Sequence, residues 1–494
     1  MSDSTTLEKP VIRKPNSCNT TIYELQSYNG GLKRHLGLWG CVSIIVGIVI
    51  GVSIFEIPPI VFNNVSTPWH GLGIWLLGGV LSIVGALCYA ELATSYPHMG
   101  GDYTYLTKAF HPCVGYLFGW GRLVVIQTGS IGALSYVFAR YATQLFATVD
   151  QVWFAAAVVV ALTVVNIIGV KFGKTTQYLL TISIMLGLAA VIMAGFFVSS
   201  ENAFLVENAR SGPGVGLAMI MVLYAFGGWN EAAFVAAEVR EPGKNIPRAL
   251  LISISVITLV SIIVNVGYLY GLGFEGLRNS AAPASEVLQL SFGSAGAKIM
   301  SMIVILSVLC SINGSILTGS RVYAAMGLDH KTFSVLGRWS SRFGTPAISF
   351  LVQCLITLLM IFGVGTKAGR SALDRFLVVI GLDKLPWEQY GGGFGTLVAG
   401  TAPVFWLFLL LSGISLFILR IKNRSFKRSF SVPLYPYLPL IFCFTCFYML
   451  YNSIIYAKGL SVFGMTLLMA GIPFYWLGFT REKKLLQKTK QREM

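Results

Sequence analysis

The nonapeptide GVSIFEIPP, from Gly51 to Pro59, interrupts a long apolar segment that begins near Leu36. Its two prolines cannot donate backbone hydrogen bonds and they disturb the preceding helical turn. The carbonyl groups around positions 54–55 therefore need other partners. A glutamate at this depth in a membrane is expected to face a cavity or a charged partner. The stretch predicts a membrane helix that is broken near its middle and carries a carboxylate, Glu56, just past the break.

A second stretch, YAFGGWNEAAFVAAE (224–238), has the same character. It interrupts another apolar segment with Gly227 and Gly228 and then places Asn230 and Glu231. The two breaks lie five predicted spans apart, and paired interruptions mark the binding site of transporters with inverted repeats. Broken helices expose N–H groups that attract a carboxylate and carbonyl groups that attract an ammonium group. An amino acid carries both charges on one carbon. The alternative is an ordinary kink in each helix.

The composition excludes a soluble fold of this size. Of the 494 residues, 55% are hydrophobic and 11% are charged, and the mean hydropathy is +0.71. A soluble protein must cover its surface with polar groups, whereas here apolar segments long enough to cross a bilayer recur along the chain. The sequence predicts an all-α polytopic membrane protein with twelve spans. These spans lie near 37–62, 73–97, 110–143, 151–170, 176–198, 213–238, 249–272, 296–324, 346–366, 397–419, 434–457 and 460–479.

We expect three regions along the chain. Positions 1–35 form a cytoplasmic tail without a cleaved signal peptide, positions 36–480 form the transmembrane domain, and positions 481–494 form a basic cytoplasmic tail. Most of the 36 lysine and arginine residues then fall on the cytoplasmic side. The net charge of +16 thus indicates contact with anionic lipid and no nucleic acid partner. The outer loop 367–396 is predicted to be a surface or re-entrant lid.

Several motifs together resemble the L-type amino acid transporter branch of the amino acid–polyamine–organocation (APC) superfamily. IGVSIF (50–55) is similar to the family's I-G-S-G-I-F, and CYAELATSYPHMGGDYTYL (88–106) is similar to its segment after span two. YAFGGWN (224–230), followed by EVREPGKNIPRAL (238–250), is the most specific match. INGSILTGSRVYAAM (312–326) fits span eight.

The resemblance implies the LeuT-type fold, in which two inverted five-helix repeats, here about 37–198 and 213–419, precede two further helices at about 434–479. It also implies alternating access. Backbone amides of the first break would hold the substrate carboxylate, and carbonyl groups of both breaks would hold its amine. The substrate-binding residues implied in this way are Gly51, Val52, Ser53, Ile54, Tyr224, Phe226, Gly227, Gly228 and Asn230.

The sequence differs from the family pattern at both breaks and in span five. The family's Ser-Gly is Val52-Ser53 here, which predicts a narrower pocket, and Ile184 stands where many relatives carry a lysine in span five. Glu56 and Glu231 replace residues that are usually uncharged. Three interpretations of these carboxylates stay open: they carry a proton, they pair with a cationic substrate side chain, or helix donors and water satisfy them.

Three further polar residues stand out. Asn313 in span eight is a candidate contact for substrate or a cation, with polar packing as the alternative. Glu91 and Glu238, at cytoplasmic helix ends, are expected to form gate or loop pairs with Arg122, Arg240 or Arg248.

The predicted function is a secondary transporter, a permease or exchanger of L-amino acids in the plasma (cell inner) membrane, with both termini cytoplasmic. The alternatives are a proton-coupled transporter of cationic amino acids or polyamines, and a transporter-like nutrient sensor. A disulfide-linked heavy-chain partner is not expected, because ATVDQVW (147–153), the outer connection where animal relatives carry the linking cysteine, has none. An enzyme is not expected either, since the five histidines are scattered and catalytic motifs are absent from the sequence. We expect no cofactor and no metal, and a channel would show a symmetric pore-lining motif instead of paired breaks.

Overall fold

The computed structural model describes the chain with gaps. The described residues are 36–51, 53–145, 150–198, 204, 215–280, 282–340, 343–379, 381, 383–385, 387, 392–457 and 459–477. Val52 of the predicted site and both predicted tails, 1–35 and 481–494, lie outside them.

The described chain is built from helices. In chain order these are α1 (Leu38–Val49), α2 (Ser53–Asn63), α3 (Pro68–Ser95), α4 (Asp102–Ala109), α5 (Pro112–Gly121), a π-helical turn (Arg122–Ile126), α6 (Gln127–Leu145), α7 (Gln151–Ile168), α8 (Val170–Val198), α9 (Val215–Ala225), a 3₁₀ segment (Trp229–Glu238), α10 (Pro242–Asn279), α11 (Pro283–Phe292), α12 (Ser294–Asp329), a 3₁₀ turn (Lys331–Phe333), α13 (Ala347–Gly365), α14 (Lys367–Val379), α15 (Gly393–Lys422), α16 (Tyr437–Ala457) and α17 (Gly459–Met469).

The prediction of twelve spans is confirmed within the described residues. Eleven spans are long and apolar enough to cross a membrane, and α1 with α2, bent by 52°, makes the twelfth. Span one is therefore α1 and α2, span two α3, span three α5 with α6, span four α7, and span five α8. Span six is α9 with the 3₁₀ segment. Spans seven to eleven are α10, α12, α13, α15 and α16, and span twelve is Gly459–Leu477, which begins with α17.

Local sequence signals explain where several helices begin. Proline occupies the first helical position of α3, α5, α10 and α11, where its missing N–H and fixed φ are compatible with a helix start. At α3 the hydroxyl of Thr67 also accepts a hydrogen bond from the His70 N–H at 3.2 Å, so this end is capped.

The break in span one lies earlier than the prolines. Helix α1 ends at Val49, Ile50 has a non-helical ψ of 76°, and α2 runs through Pro58 and Pro59. Pro58 removes the donor that would reach the carbonyl of Ile54. The Tyr268 hydroxyl of span seven lies 3.5 Å from that carbonyl, as expected for a freed group that needs another partner.

The connection after span nine contains a helix of its own. Helix α14 places Leu377 in a small apolar cluster with Leu385, Ala399, Ala457 and Leu460. The helix therefore packs on residues of spans ten, eleven and twelve, and the lid over 367–396 stays a prediction.

Candidate substrate site at the two broken helices

The carbonyl end of α1 is bound by serines of span eight. The Ser307 hydroxyl donates to the Ile50 carbonyl at 3.0 Å, and the Ser311 hydroxyl lies 3.1 Å from the Gly47 carbonyl and 3.2 Å from that of Ile48. These bonds satisfy carbonyl groups that the break leaves without helical donors. Sequence reasoning misses both serines, although their spacing of four residues places them on one helix face.

The second break depends on a glycine. Gly228 has a φ of 108°, in the left-handed region that favours glycine. A Cβ atom on Gly228 would lie 2.8 Å from Cγ2 of Ile48. The end of α9 and the end of α1 are therefore in direct contact at this point.

The structure brings the predicted residues of the two breaks together. The Ser53 hydroxyl at the start of α2 lies 3.5 Å from the Ala225 carbonyl at the end of α9. The N-terminus of one half-helix and the C-terminus of the other thus lie side by side, and their opposite partial charges fit the two charged groups of an amino acid.

The two aromatic residues before the second break differ in exposure. Tyr224 is 36% exposed, whereas Phe226 is 1% exposed and packs against Trp75 at 6.1 Å between ring centroids. Of the two candidates for the aromatic gate, Tyr224 is the more exposed residue.

Asn230 lies on the other side of the second break. It is buried and lines a cavity of about 30 Å³ that is bordered by Ser82, Trp406 and Phe442. A cavity of this size admits water. Asn230 is thereby placed between the break and spans two, ten and eleven.

Glu231 belongs to a buried polar network. The Arg122 guanidinium donates to one carboxylate oxygen of Glu231, and the Thr318 hydroxyl donates to the other. Arg122 also donates to the Gln127 side chain. Arg122 opens the π-helical turn of span three, a feature that is frequent at functional sites. The network joins spans three, six and eight directly below the second break.

Glu56 has an arginine partner too, but a more exposed one. Its carboxylate is ion-paired with Arg140 of span three, and the two side chains are 26% and 48% exposed. The Arg140 guanidinium also lies 5.3 Å from the ring centroid of Tyr141. Sequence reasoning identifies both carboxylates, names Arg122 only as a partner of Glu91 or Glu238, and misses Arg140.

Asn313 is fully buried, and its side chain bonds to spans four and five. Its amide donates to the Gly173 carbonyl at 3.2 Å and to the Gln177 side chain at 2.8 Å, and its oxygen accepts from Asn166 at 2.8 Å. These three bonds join spans four, five and eight. The contacts of Asn313 thus correspond to the polar packing alternative.

The C-terminal end of span two is bound to span ten. Both carboxylate oxygens of Glu91 accept from Arg420, at 2.8 and 2.5 Å, and Arg428 lies 3.2 Å away. The Val432 N–H donates to the same carboxylate at 2.7 Å. Glu91 therefore fixes the basic loop that follows span ten.

A second contact closes the same side between spans one and six. The Leu36 N–H donates to the Glu238 carbonyl at 3.0 Å, in a bridge that pairs Leu36 with Val239. The Glu238 carboxylate accepts from Arg321 at 2.9 Å. Because Arg122 pairs with Glu231, the expectation that Arg122 pairs with Glu91 or Glu238 is wrong.

Comparison with known proteins gives consistent matches over nearly the whole chain. The family model described as amino acid permease matches residues 36–479. The chain is 28% identical to the serine/threonine exchanger SteT of Bacillus subtilis, over 92% of this chain and 98% of that protein. It is 30% identical to the human large neutral amino acids transporter small subunit 2, over 92% and 82%. It is 29% identical to the human cystine/glutamate transporter, over 92% and 87%.

Proposed function

Since the chain belongs to the amino acid permease family and is an amino acid transporter, we propose that it exchanges neutral L-amino acids by alternating access. The observation that carries this proposal is the pairing of Glu56 and Glu231 with Arg140 and Arg122. A cationic side chain in a low-dielectric site needs a carboxylate of its own. With both carboxylates engaged, the surroundings of the breaks favour a substrate whose side chain has no charge.

The two half-helix ends support a specific orientation of the substrate. Its carboxylate lies at the start of α2, where the first N–H groups have no helical acceptor. Its ammonium group lies at the carbonyl end of α9, near Ala225, Phe226 and Gly227. This arrangement uses the residues Gly51, Val52, Ser53, Ile54 and Gly228 through their backbone.

Two features support a limit on the size of the substrate's side chain. Val52 and Ser53 bring more bulk to the first break than the Ser-Gly of the family, and the partly exposed Tyr224 supplies an aromatic gate. The names of the similar proteins include both a serine/threonine exchanger and a large neutral amino acids transporter. We place the substrates of this chain among these neutral amino acids.

We further propose that both termini are cytoplasmic, in the plasma or cell inner membrane, because this orientation places most lysine and arginine residues inside. The two inverted repeats are then about 37–198 and 213–419. The chain works without a disulfide-linked heavy chain, since the outer segment 147–153 has no cysteine.

The test is uptake of radiolabelled amino acids and polyamines by purified protein in liposomes, with and without unlabelled amino acid inside. We expect a neutral amino acid to be taken up best, and internal amino acid to accelerate its uptake several-fold. A preference for lysine, arginine or a polyamine would overturn the neutral class. If uptake is the same with and without internal amino acid, the protein is not an exchanger.

A pair of glycine variants ties transport to the second break. Gly228→Ala is expected to reduce uptake strongly, because alanine is strained at a φ of 108° and its Cβ meets Ile48. The matched control is Gly363→Ala in span nine, where no atom described by the structure lies within 4 Å of an added Cβ. Equal uptake by the two variants would contradict a role for this break.

A further inference from the structure

A buried aspartate lies outside the two breaks. Asp102 opens α4 directly after Gly100 and Gly101, which have φ values of 93° and 49°. A Cβ on Gly101 would lie 2.8 Å from the ring of Phe234 and 2.9 Å from the backbone of Ala233. Only glycine lets this loop press so closely on the 3₁₀ segment of span six. As a result Asp102 is 2% exposed.

The surroundings of Asp102 are polar but unsatisfied. The hydroxyl groups of Tyr89 on span two and Ser412 on span ten lie beside its carboxyl group and favour the ionised form. Both hydroxyls, like Oδ1 of Asp102, are nevertheless buried without a hydrogen bond of ordinary geometry among the described residues. Such atoms are rare in native proteins, and each needs an explanation.

The charges that face Asp102 do not neutralise it. They are Arg122 on span three and Glu231 on span six, one favouring and one opposing its ionised form. The guanidinium of Arg122 is engaged by Glu231 and Gln127. In the described part of the chain, Asp102 thus has no cation of its own. A buried carboxyl in this situation takes up a proton.

We propose that Asp102 is a proton-binding site that is protonated at mildly acidic pH while the cytoplasmic side is closed and is ionised when water reaches it. The protonated carboxyl gains an O–H group that donates to one of the neighbouring hydroxyl oxygens. On opening, the proton passes from the carboxyl oxygen to water. Burial also raises the pKa of Asp102 from 3.8 to about 6.

The position of Asp102 couples this proton to the second break. The ring of Tyr89 packs edge-on against Trp229 at 5.2 Å between centroids, and Trp229 directly follows Gly228. The Gly100 N–H lies 3.4 Å from the Phe234 carbonyl. When the 3₁₀ segment moves away, it uncovers Asp102. The proton therefore stabilises the closed arrangement, and its loss favours the open one.

The first test does not depend on transport. Infrared difference spectra of the purified protein between about pH 5 and about pH 8 report the carbonyl stretch of protonated carboxyl groups. We expect the wild type to show a band that titrates near pH 6 and that Asp102→Asn lacks. An unchanged spectrum in Asp102→Asn would overturn the proposal, and so would a midpoint that moves when Na⁺ replaces K⁺, because it would indicate a cation site.

A milder pair of variants keeps the test decisive if Asp102→Asn folds poorly. Ser412→Ala removes a hydroxyl that stabilises the carboxylate, so the midpoint should move to higher pH. The control is Ser415→Ala, whose hydroxyl donates within its own helix to the Ser412 carbonyl at 2.6 Å, and its midpoint should not move. Equal midpoints in the two variants would contradict a site at Asp102.

The second test rests on the proposed function. Exchange of L-leucine and of L-serine is measured in liposomes with internal pH of about 5.5 and about 8. The wild type should differ several-fold between the two values, and Asp102→Asn should not. If exchange by the wild type does not depend on pH, the coupling of the Asp102 proton to transport is wrong. If neither probe is transported, the proposed neutral substrates are wrong, while the infrared result still decides whether Asp102 binds a proton.

Discussion

Glu56 and Glu231 occupy similar places in the chain, each a few residues past a helix break, yet their surroundings differ. The Glu56–Arg140 pair is 26% and 48% exposed, whereas the Glu231–Arg122 pair is 8% and 1% exposed. Exposed pairs are screened by water and contribute little. A buried pair stabilises little over apolar packing, but the loss of one partner leaves a costly unpaired charge. Matching positions in the sequence therefore do not have matching electrostatic roles.

The largest effect should come from breaking the buried pair. Arg122→Leu leaves Glu231 without its cation, and we expect a loss of about 3–5 kcal/mol in stability. The measurement is thermal unfolding in detergent together with the yield of monodisperse protein. The double variant Arg122→Leu/Glu231→Leu removes both charges and should recover much of the loss. A double variant as unstable as the single one would mean that Arg122 acts through packing instead of charge.

This asymmetry also separates what sequence reasoning can predict from what it cannot. Apolar segments of membrane-spanning length predict the twelve spans. Glycines, prolines and carboxylates within them predict the two breaks. The partners of the carboxylates come from far along the chain, 109 residues away for Glu231 and Arg122. Nothing local in the sequence distinguishes Arg122 from a residue at the end of a span.

The local sequence pattern also does not predict the exact position of the first break. Pro58 and Pro59 predict a disturbed turn around positions 54–55, but α2 runs through them, and α1 has already ended at Val49. The reason is tertiary: Tyr268 reaches the freed Ile54 carbonyl, and Ser307 binds that of Ile50. Hydrogen-bond donors on spans seven and eight decide which carbonyl groups can remain without a helical partner.

Asp102 sharpens the comparison, because it is a buried carboxyl without an arginine of its own. Burial raises its pKa in the folded protein from the ordinary 3.8 to about 6. The stability that this group contributes is therefore complete below about pH 4 and is lost as the pH rises through about 6. Across that window the wild type should lose up to about 3 kcal/mol relative to Asp102→Asn. Parallel unfolding curves for the two proteins across this window would contradict the raised pKa.

The smallest effect should come from the exposed pair. Glu56→Gln keeps the shape of the side chain and removes its charge, and we expect a loss of at most about 1 kcal/mol because Arg140 stays in contact with water. Thermal unfolding in detergent at low and at high salt measures this difference, and salt should reduce it further. The matched variant is Glu231→Gln, whose effect should be larger and nearly independent of salt because its partner is buried. If the two variants lose equal stability with equal salt dependence, the two breaks are electrostatically alike, and exposure does not decide the roles of their carboxylates.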